Sequence, residues 1–293
     1  MTAAAREEGG PLVVVGAGVM GTGIATLALV HGVPVTLVDL DRAVLDRAEV
    51  AIARNLRTAA LLGAAPPDTA PGALTTSTSL PDALTGSTAV AVVEAVTEDP
   101  ATKAAVLARV SAAVPEGTPL ISNTSSIPID ELAAAVARPA DLLGTHFMNP
   151  AYLITTVEVV PGPRTAPDVV ASATKLLGEL RRTPIVVRDS PGFVTSRLLH
   201  PMINDAARLV EEGVASVEDV DALMQGCLGH PTGPLRTADL IGIDNLVDAL
   251  DVLHLRTGDE RSRPCGLLVA KVRDGHHGRK SGRGFYDYEE ALP

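Results

Sequence analysis

Aromatic side chains are nearly absent from this chain of 293 residues: Phe and Tyr occur three times each, and Trp not at all. The core must therefore be assembled from Val, Leu, Ile and Ala, within an apolar fraction of 46%. Cysteine is as scarce. Cys227 and Cys265 stand far apart and form neither a metal-ligand nor a redox pattern, so a reduced cytoplasm is the expected compartment. Positive charge is in deficit, with 24 basic against 35 acidic residues and a net charge of −11. That balance argues against nucleic acid or an anionic membrane surface as partner. No apolar run approaches the ~20 residues that span a bilayer. The opening MTAAAREEGG has neither an apolar signal core nor an Arg-rich transit pattern, and residues 1–10 read as a disordered tail. The length allows one large domain or two smaller ones, with ample chain to bury a core.

What is present begins at once. Pro11-Leu12-Val13-Val14-Val15 is a short continuous apolar run, as a buried parallel strand requires. It enters Gly16-Ala17-Gly18-Val19-Met20-Gly21, then a helical run through Ile24, Ala28 and Leu29 to a stop at Gly32. A second apolar strand, Val33 to Val38, ends at Asp39, eighteen residues after the last glycine of the turn. A lone GxGxxG is weak, but strand, GxGxxG, helix, strand and acid in this order specify a dinucleotide site. Gly16 permits the tight turn, Gly18 lets backbone amides approach a pyrophosphate, and Gly21 permits close helix–strand packing. The helix N-terminus, at Val19 and Met20, turns its positive end to the phosphates. Asp39 accepts hydrogen bonds from the adenosine ribose and, with Asp41, repels a 2′-phosphate. Arg42 is the one residue that points toward NADP, and the fold also accommodates other nucleotides such as FAD. The two acids decide for NAD.

A mixed-charge helical pattern over residues 43–62 leads to a Pro/Gly/Ala-rich loop reaching Gly72. Strands are expected at Leu74–Thr78, Ala89–Val93 and Pro119–Ser122, with a helix from Pro100 through Val110. Asn123-Thr124-Ser125-Ser126 then forms a polar cluster at the C-terminal edge of a parallel sheet, where ligands bind in this architecture. One of the two serines is also a candidate N-cap for a helix over 128–136. A helix near 167–181 and a last strand, Pro184 to Val187, complete an α/β Rossmann-like, doubly wound sheet. From Ser190-Pro191-Gly192 onward the pattern is helical, with Phe193, Leu198, Leu199 and Ile203 on one face and further helices near 217–227, 237–254 and 263–273. The domains expected are 11–188, binding NAD, and 189–293, an all-α substrate and dimerisation domain.

Between these halves, Thr145-His146-Phe147-Met148-Asn149-Pro150 closes one apolar run, and Glu158 appears twelve residues after His146 in another. If both runs are strands, Glu158 lies against His146. A carboxylate behind an imidazole fixes its tautomer and stabilises its protonated form, which suits proton transfer near neutral pH. The same residues also fit a capped strand end with an incidental histidine.

These stretches together resemble the L-3-hydroxyacyl-CoA dehydrogenase family, which includes the 3-hydroxybutyryl-CoA dehydrogenases. The likeness runs from Leu12 to Tyr288 and rests on GAGVMGTGIA at 16–25, VVEAVTED at 92–99, SNTSS at 122–126 and HFMNP with VEVV. DSPGFVTSRLL at 189–199, GHPTGP at 229–234 and GRKSGRGFYDY at 278–288 complete it. The resemblance implies that His146 exchanges the proton of the substrate hydroxyl with Glu158 orienting it. It places Ser125 near the nicotinamide and the substrate oxygen, and Asn149 on the nicotinamide side. It adds Glu98, Lys103 and Lys280 as cofactor contacts. Without it, Glu98 and Lys103 read as a solvated helix-start charge and a surface lysine, and Lys280 as part of an exposed basic tail.

Three departures bear on the substrate. Ser196 stands where the family's PGF-x-x-N-R segment has a catalytic asparagine. The arm from Ala43 to Thr78 contains no lysine, whereas the family uses lysine and serine there to hold CoA; Arg54 and Arg57 remain. Ala151-Tyr152-Leu153-Ile154-Thr155-Thr156 replaces the usual residues after HFxNP, so the acyl pocket is expected to differ. These features make the chain look like relatives in polyketide extender-unit pathways that oxidise the 3-hydroxyl of a glyceryl group on acyl carrier protein. The alternative thioester is 3-hydroxybutyryl-CoA. Two rivals remain: a free hydroxy-acid dehydrogenase similar to L-gulonate 3-dehydrogenase, which shares Asn149-Pro150-Ala151-Tyr152, and a catalytically silent NAD-binding protein similar to lambda-crystallin. A 6-phosphogluconate-type or imine reductase would want a lysine or acid in the first interdomain helix, and residues 190–205 contain no Lys. The expected assembly is a homodimer.

Overall fold

A computed structural model describes residues 10–86 and 88–288, so nearly all of the expected tail at 1–10 lies outside the described residues. The chain divides into two compact units between Ser190 and Pro191. The first is built on one eight-stranded sheet in the order β3-β2-β1-β4-β5-β6-β7-β8. Its elements are β1 (Leu12–Val15), α1 (Val19–Val30), β2 (Val35–Val38), α2 (Arg42–Leu61), β3 (Leu74–Ser77), α3 (Leu80–Leu84), β4 (Ala91–Glu94) and α4 (Pro100–Ala113). There follow β5 (Leu120–Ser122), α5 (Ile129–Ala133), β6 (Leu142–His146), β7 (Thr156–Pro161), α6 (Pro167–Glu179) and β8 (Thr183–Val186).

β1 is buried at all four positions because helices cover both faces of a parallel sheet, so its sequence shows no alternation. α1 is buried along most of its length for the same reason, and its Ile24, Leu27 and Leu29 pack with Leu12, Val14, Val35 and Leu37. Chain order reverses at β1, which pairs with β2 on one side and β4 on the other, all parallel. This is the switch point at which such sheets bind ligands beyond their carboxyl ends. β4, β5 and β6 continue in parallel, so the loops after β2, β1, β4, β5 and β6 share one edge. β7 turns back antiparallel to β6, and β8 runs parallel to β7.

The second unit contains α7 (Thr195–Glu211), α8 (Val217–Leu228), α9 (Pro234–Ile241), α10 (Ile243–Thr257) and α11 (Gly266–Arg273). Ile203, Ala207, Leu235, Ile243, Leu246, Leu250 and Leu268 form its core. Two buried acids tie its C-terminal stretch down. Asp239 accepts from the amides of Phe285 (2.8 Å) and Tyr286 (3.0 Å) and from the Tyr288 hydroxyl (3.0 Å). Asp221 accepts from the amides of Leu235 and Arg236 and from the Tyr286 hydroxyl at 2.8 Å. Burial and these acids push both phenols up, Tyr288 to about 12. The Rossmann-like sheet followed by a helical unit is thus the expected fold class. Three local expectations need correction. The helix expected over 237–254 is two helices broken at Gly242, whose φ of 97° no ordinary helix residue adopts. Leu198 does not join Phe193 and Ile203 in the core but is 70% exposed. The helix expected over 128–136 shrinks to five residues, and neither serine caps it. The Asp189 carboxylate instead accepts from the amides of Ile129 and Asp130, each at 3.0 Å.

Candidate active site

The glycine-rich turn has the constraints its spacing implies. Gly16 has φ +102°, and a Cβ there would lie 2.5 Å from the carbonyl oxygen of Ala95. A Cβ on Gly21 would run into the carbonyl of Gly16, while one on Gly18 would meet nothing within 4 Å. The first and third glycines therefore close the turn onto β4 and the helix, and the second leaves its backbone approachable. Val19 and Met20 open α1 directly behind it. Asp39 braces the turn from the end of β2, one carboxylate oxygen accepting from Ala17 N at 2.9 Å and the other from Asp41 N at 3.1 Å. Arg42, the residue that pointed toward NADP, is engaged elsewhere: its guanidinium holds Asp46 (2.8 Å), Glu49 (2.9 Å) and the Thr76 hydroxyl. A group with these partners is not poised to bind a 2′-phosphate. The turn, its helix and two acids fit NAD.

Four strands along, His146 ends β6 and is the register partner of Glu158 on antiparallel β7. The imidazole Nδ1 lies 2.8 Å from Glu158 Oε2, and both residues are buried. A carboxylate accepts, so Nδ1 carries the hydrogen in this pair, and Nε2 faces away from Glu158. The chain beyond His146 is fixed by the first residue of the polar cluster after β5: Asn123 Oδ1 accepts from Phe147 N at 3.1 Å. Asn149 follows, exposed, and its bond to Pro150 is cis. Tyr152, the residue behind the sugar-acid rival, is buried and bonds Asn55 of α2 at 3.3 Å. The buried Arg182 donates to the carbonyls of Ile154 (2.8 Å) and Tyr152 (3.5 Å), which ties this segment to the first unit while Ile154 itself stays exposed.

Glu98 is the organiser of the loop after β5. One oxygen, Oε1, accepts from Thr124 Oγ1 (2.6 Å), Ser125 N (2.8 Å), Ser126 N (3.1 Å), Ser126 Oγ (3.2 Å) and Ser125 Oγ (3.3 Å). Burial pushes this carboxyl up, but the Lys103 charge and the Thr124 and Ser125 hydrogen bonds outweigh it and hold it below the usual range. Lys103 is neither the surface lysine its context suggests nor an open cofactor contact. It is 1% exposed, with Nζ 2.7 Å from Glu94 Oε1, 3.2 Å from Glu98 Oε2 and 3.4 Å from Val96 O. Three acceptors meet its three protons, and a direct cofactor contact would cost one of them. Glu94, wholly buried, also accepts from Val96 N (2.8 Å) and Ser122 Oγ (2.7 Å). Sequence reasoning missed Glu94 and Ser122. The only signal was a carboxylate closing an apolar strand.

The two remaining candidates belong to the second unit. Ser196 is buried in the first turn of α7. Lys280 is held by Asp244 at 2.7 Å, and Asp244 is kept below the usual carboxylate range because that bond and a backbone bond outweigh its burial.

The family profile of the 3-hydroxyacyl-CoA dehydrogenase NAD-binding domain matches residues 11–190, and that of the C-terminal domain matches 192–288. The chain belongs to the 3-hydroxyacyl-CoA dehydrogenase family. It is 41% identical over 278 residues to a probable 3-hydroxybutyryl-CoA dehydrogenase of Deinococcus radiodurans, covering 94% of this chain and 99% of that protein. It is 40% identical over 281 residues to the 3-hydroxybutyryl-CoA dehydrogenase of Mycobacterium tuberculosis, covering 94% and 97%. The crystal structure of (S)-3-hydroxybutyryl-CoA dehydrogenase from Ralstonia eutropha superposes with a TM-score of 0.84 at 35% identity, over 97% of this chain and 100% of that one. As a member of this family the protein is an NAD-dependent oxidoreductase acting on a CH–OH group.

Proposed function

We propose that the protein oxidises the 3-hydroxyl of a short 3-hydroxyacyl thioester to the 3-oxo form, with His146 as acid/base and Glu158 orienting it. The observation that carries this reading is the His146–Glu158 pair, 2.8 Å apart on β6 and β7. NAD supplies the hydride acceptor for C3. His146 Nε2 takes the hydroxyl proton as that hydride leaves, and Glu158 stabilises the imidazolium that results. In reverse, the imidazolium returns the proton to the forming alkoxide. Ser125, on the loop gathered by Glu98, is placed by this reading beside the substrate oxygen, and Asn149 on the nicotinamide side. Ser196 and Lys280 take the roles of the family's asparagine and lysine. Proton transfer of this kind contributes roughly 10²–10⁴-fold to the rate.

The relatives named above favour a CoA thioester such as 3-hydroxybutyryl-CoA. A second reading, a glyceryl group on acyl carrier protein, draws on the arm: α2 and the loop after it contain no lysine, and Arg42 is bound up with Asp46 and Glu49. A weak grip on the nucleotide of CoA is the physical consequence. NAD reduction across a panel of 3-hydroxyacyl-CoA and hydroxyacyl-carrier substrates separates the two. Turnover of 3-hydroxybutyryl-CoA with none of glyceryl-carrier protein removes the second reading. Activity on a free sugar acid with none on thioesters removes both.

A further inference from the structure

NAD⁺ and NADH differ by one unit of charge at the nicotinamide ring, and the site holds a charged cluster on that side. Asp39, at the end of β2, marks the adenosine half of the dinucleotide. The nicotinamide half therefore falls across β1, over the ends of β4, β5 and β6. Glu94 ends β4, Ser122 ends β5, and Glu98 lies in the loop after β4. Lys103 projects from α4 between the two glutamates, 2.7 Å from one and 3.2 Å from the other. The set contains two carboxylates and one ammonium, one net negative charge. Glu94 and Lys103 have 0% and 1% of their side chains exposed, so water does not screen them; Glu98, at 36%, is the member that reaches the surface.

We propose that the Glu94–Lys103–Glu98 cluster discriminates between the oxidation states of the coenzyme, holding one net negative charge below the nicotinamide half so that NAD⁺ binds more tightly than it would to a neutral site, relative to NADH. Lys103 sets the size of the effect by cancelling one carboxylate. Glu94 touches no ligand and acts through Lys103 and Glu98, as a positioning residue. The inference rests on NAD as coenzyme and on nothing about the acyl substrate, so it stands or falls separately from the proposed reaction. A purely structural role for the buried pair would weaken both coenzyme forms alike.

The test is equilibrium binding of NAD⁺ and NADH to the full chain and its variants. Glu94→Gln keeps the shape of the side chain and removes one charge. The ratio of dissociation constants, NAD⁺ over NADH, should rise on the order of tenfold, as expected for a unit charge acting across roughly 12 Å at an effective dielectric of about 20. The double variant Glu94→Gln with Lys103→Met restores a net charge of one through Glu98 alone, and the ratio should return to within about twofold of the parent. Should Glu94→Gln not fold, Glu98→Gln at the more exposed member removes the same charge and should raise the same ratio. An unchanged ratio in the single variants overturns the proposal, whether or not the absolute affinities fall. So does a double variant that keeps the raised ratio.

Discussion

At the scale of the residue, the site depends on carboxylates whose partners decide what they do. Glu158 serves one imidazole, Asp39 braces the glycine turn, and Glu98 gathers three consecutive loop residues on a single oxygen. Because Glu98 is held below the usual range, its bonds stabilise the fold above the ordinary carboxylate pKa and are lost as pH falls through the depressed value. Glu98→Gln should therefore be less stable than the parent at pH 7, with the gap closing in strongly acidic buffer. Urea unfolding at several pH values checks this, and a gap that widens in acid contradicts it. Single residues were unevenly legible. His146 and Glu158 stood out because the period of a strand pair brings a residue and its register partner together. Glu94 and Lys103 did not, because a strand, a loop and a helix turn separate them and no periodicity marks such a pair.

At the scale of the element, the strands were legible because continuous apolar runs bounded by polar ends leave little choice, and GxGxxG fixed the first strand–helix unit. Helix ends were less so. A helix whose terminus is capped from a distant segment carries no local signal, and α5 owes its first turn to Asp189, some sixty residues away by chain. Asp189→Ala should cost roughly 0.5–2 kcal/mol, the usual range for a lost cap. Chemical denaturation measures it, and a loss under a few tenths of a kcal/mol would show that water replaces the carboxylate. Gly242 is the converse case. It looks like a tolerated helix glycine in sequence, yet its positive φ ends α9 and starts α10.

At the scale of the whole molecule, each unit has its own apolar core and is matched by its own family profile. The Rossmann-like half was legible from pattern. In the helical half the pattern gave helices, but not the acids Asp221 and Asp239 that fasten its C-terminal stretch, since those contacts join residues 46 and 65 positions apart. On α7 and α8 the large apolar side chains Leu198, Leu223 and Leu228 are 70%, 57% and 67% exposed. The homodimer expected from the sequence would cover exposed apolar side chains such as these. Light scattering should give twice the chain mass of 30.1 kDa, and a single-chain mass at micromolar concentration contradicts the dimer. Among the described residues no helix is long and apolar enough to cross a membrane.

In the proposed reaction His146, set by Glu158, moves the substrate proton. The most direct measurement is steady-state NAD reduction by His146→Gln, alongside its affinity for NAD. Turnover should fall by roughly 10²–10⁴-fold, the usual share of general acid–base catalysis, with NAD affinity unchanged. Turnover equal to the parent's would remove the histidine from the mechanism.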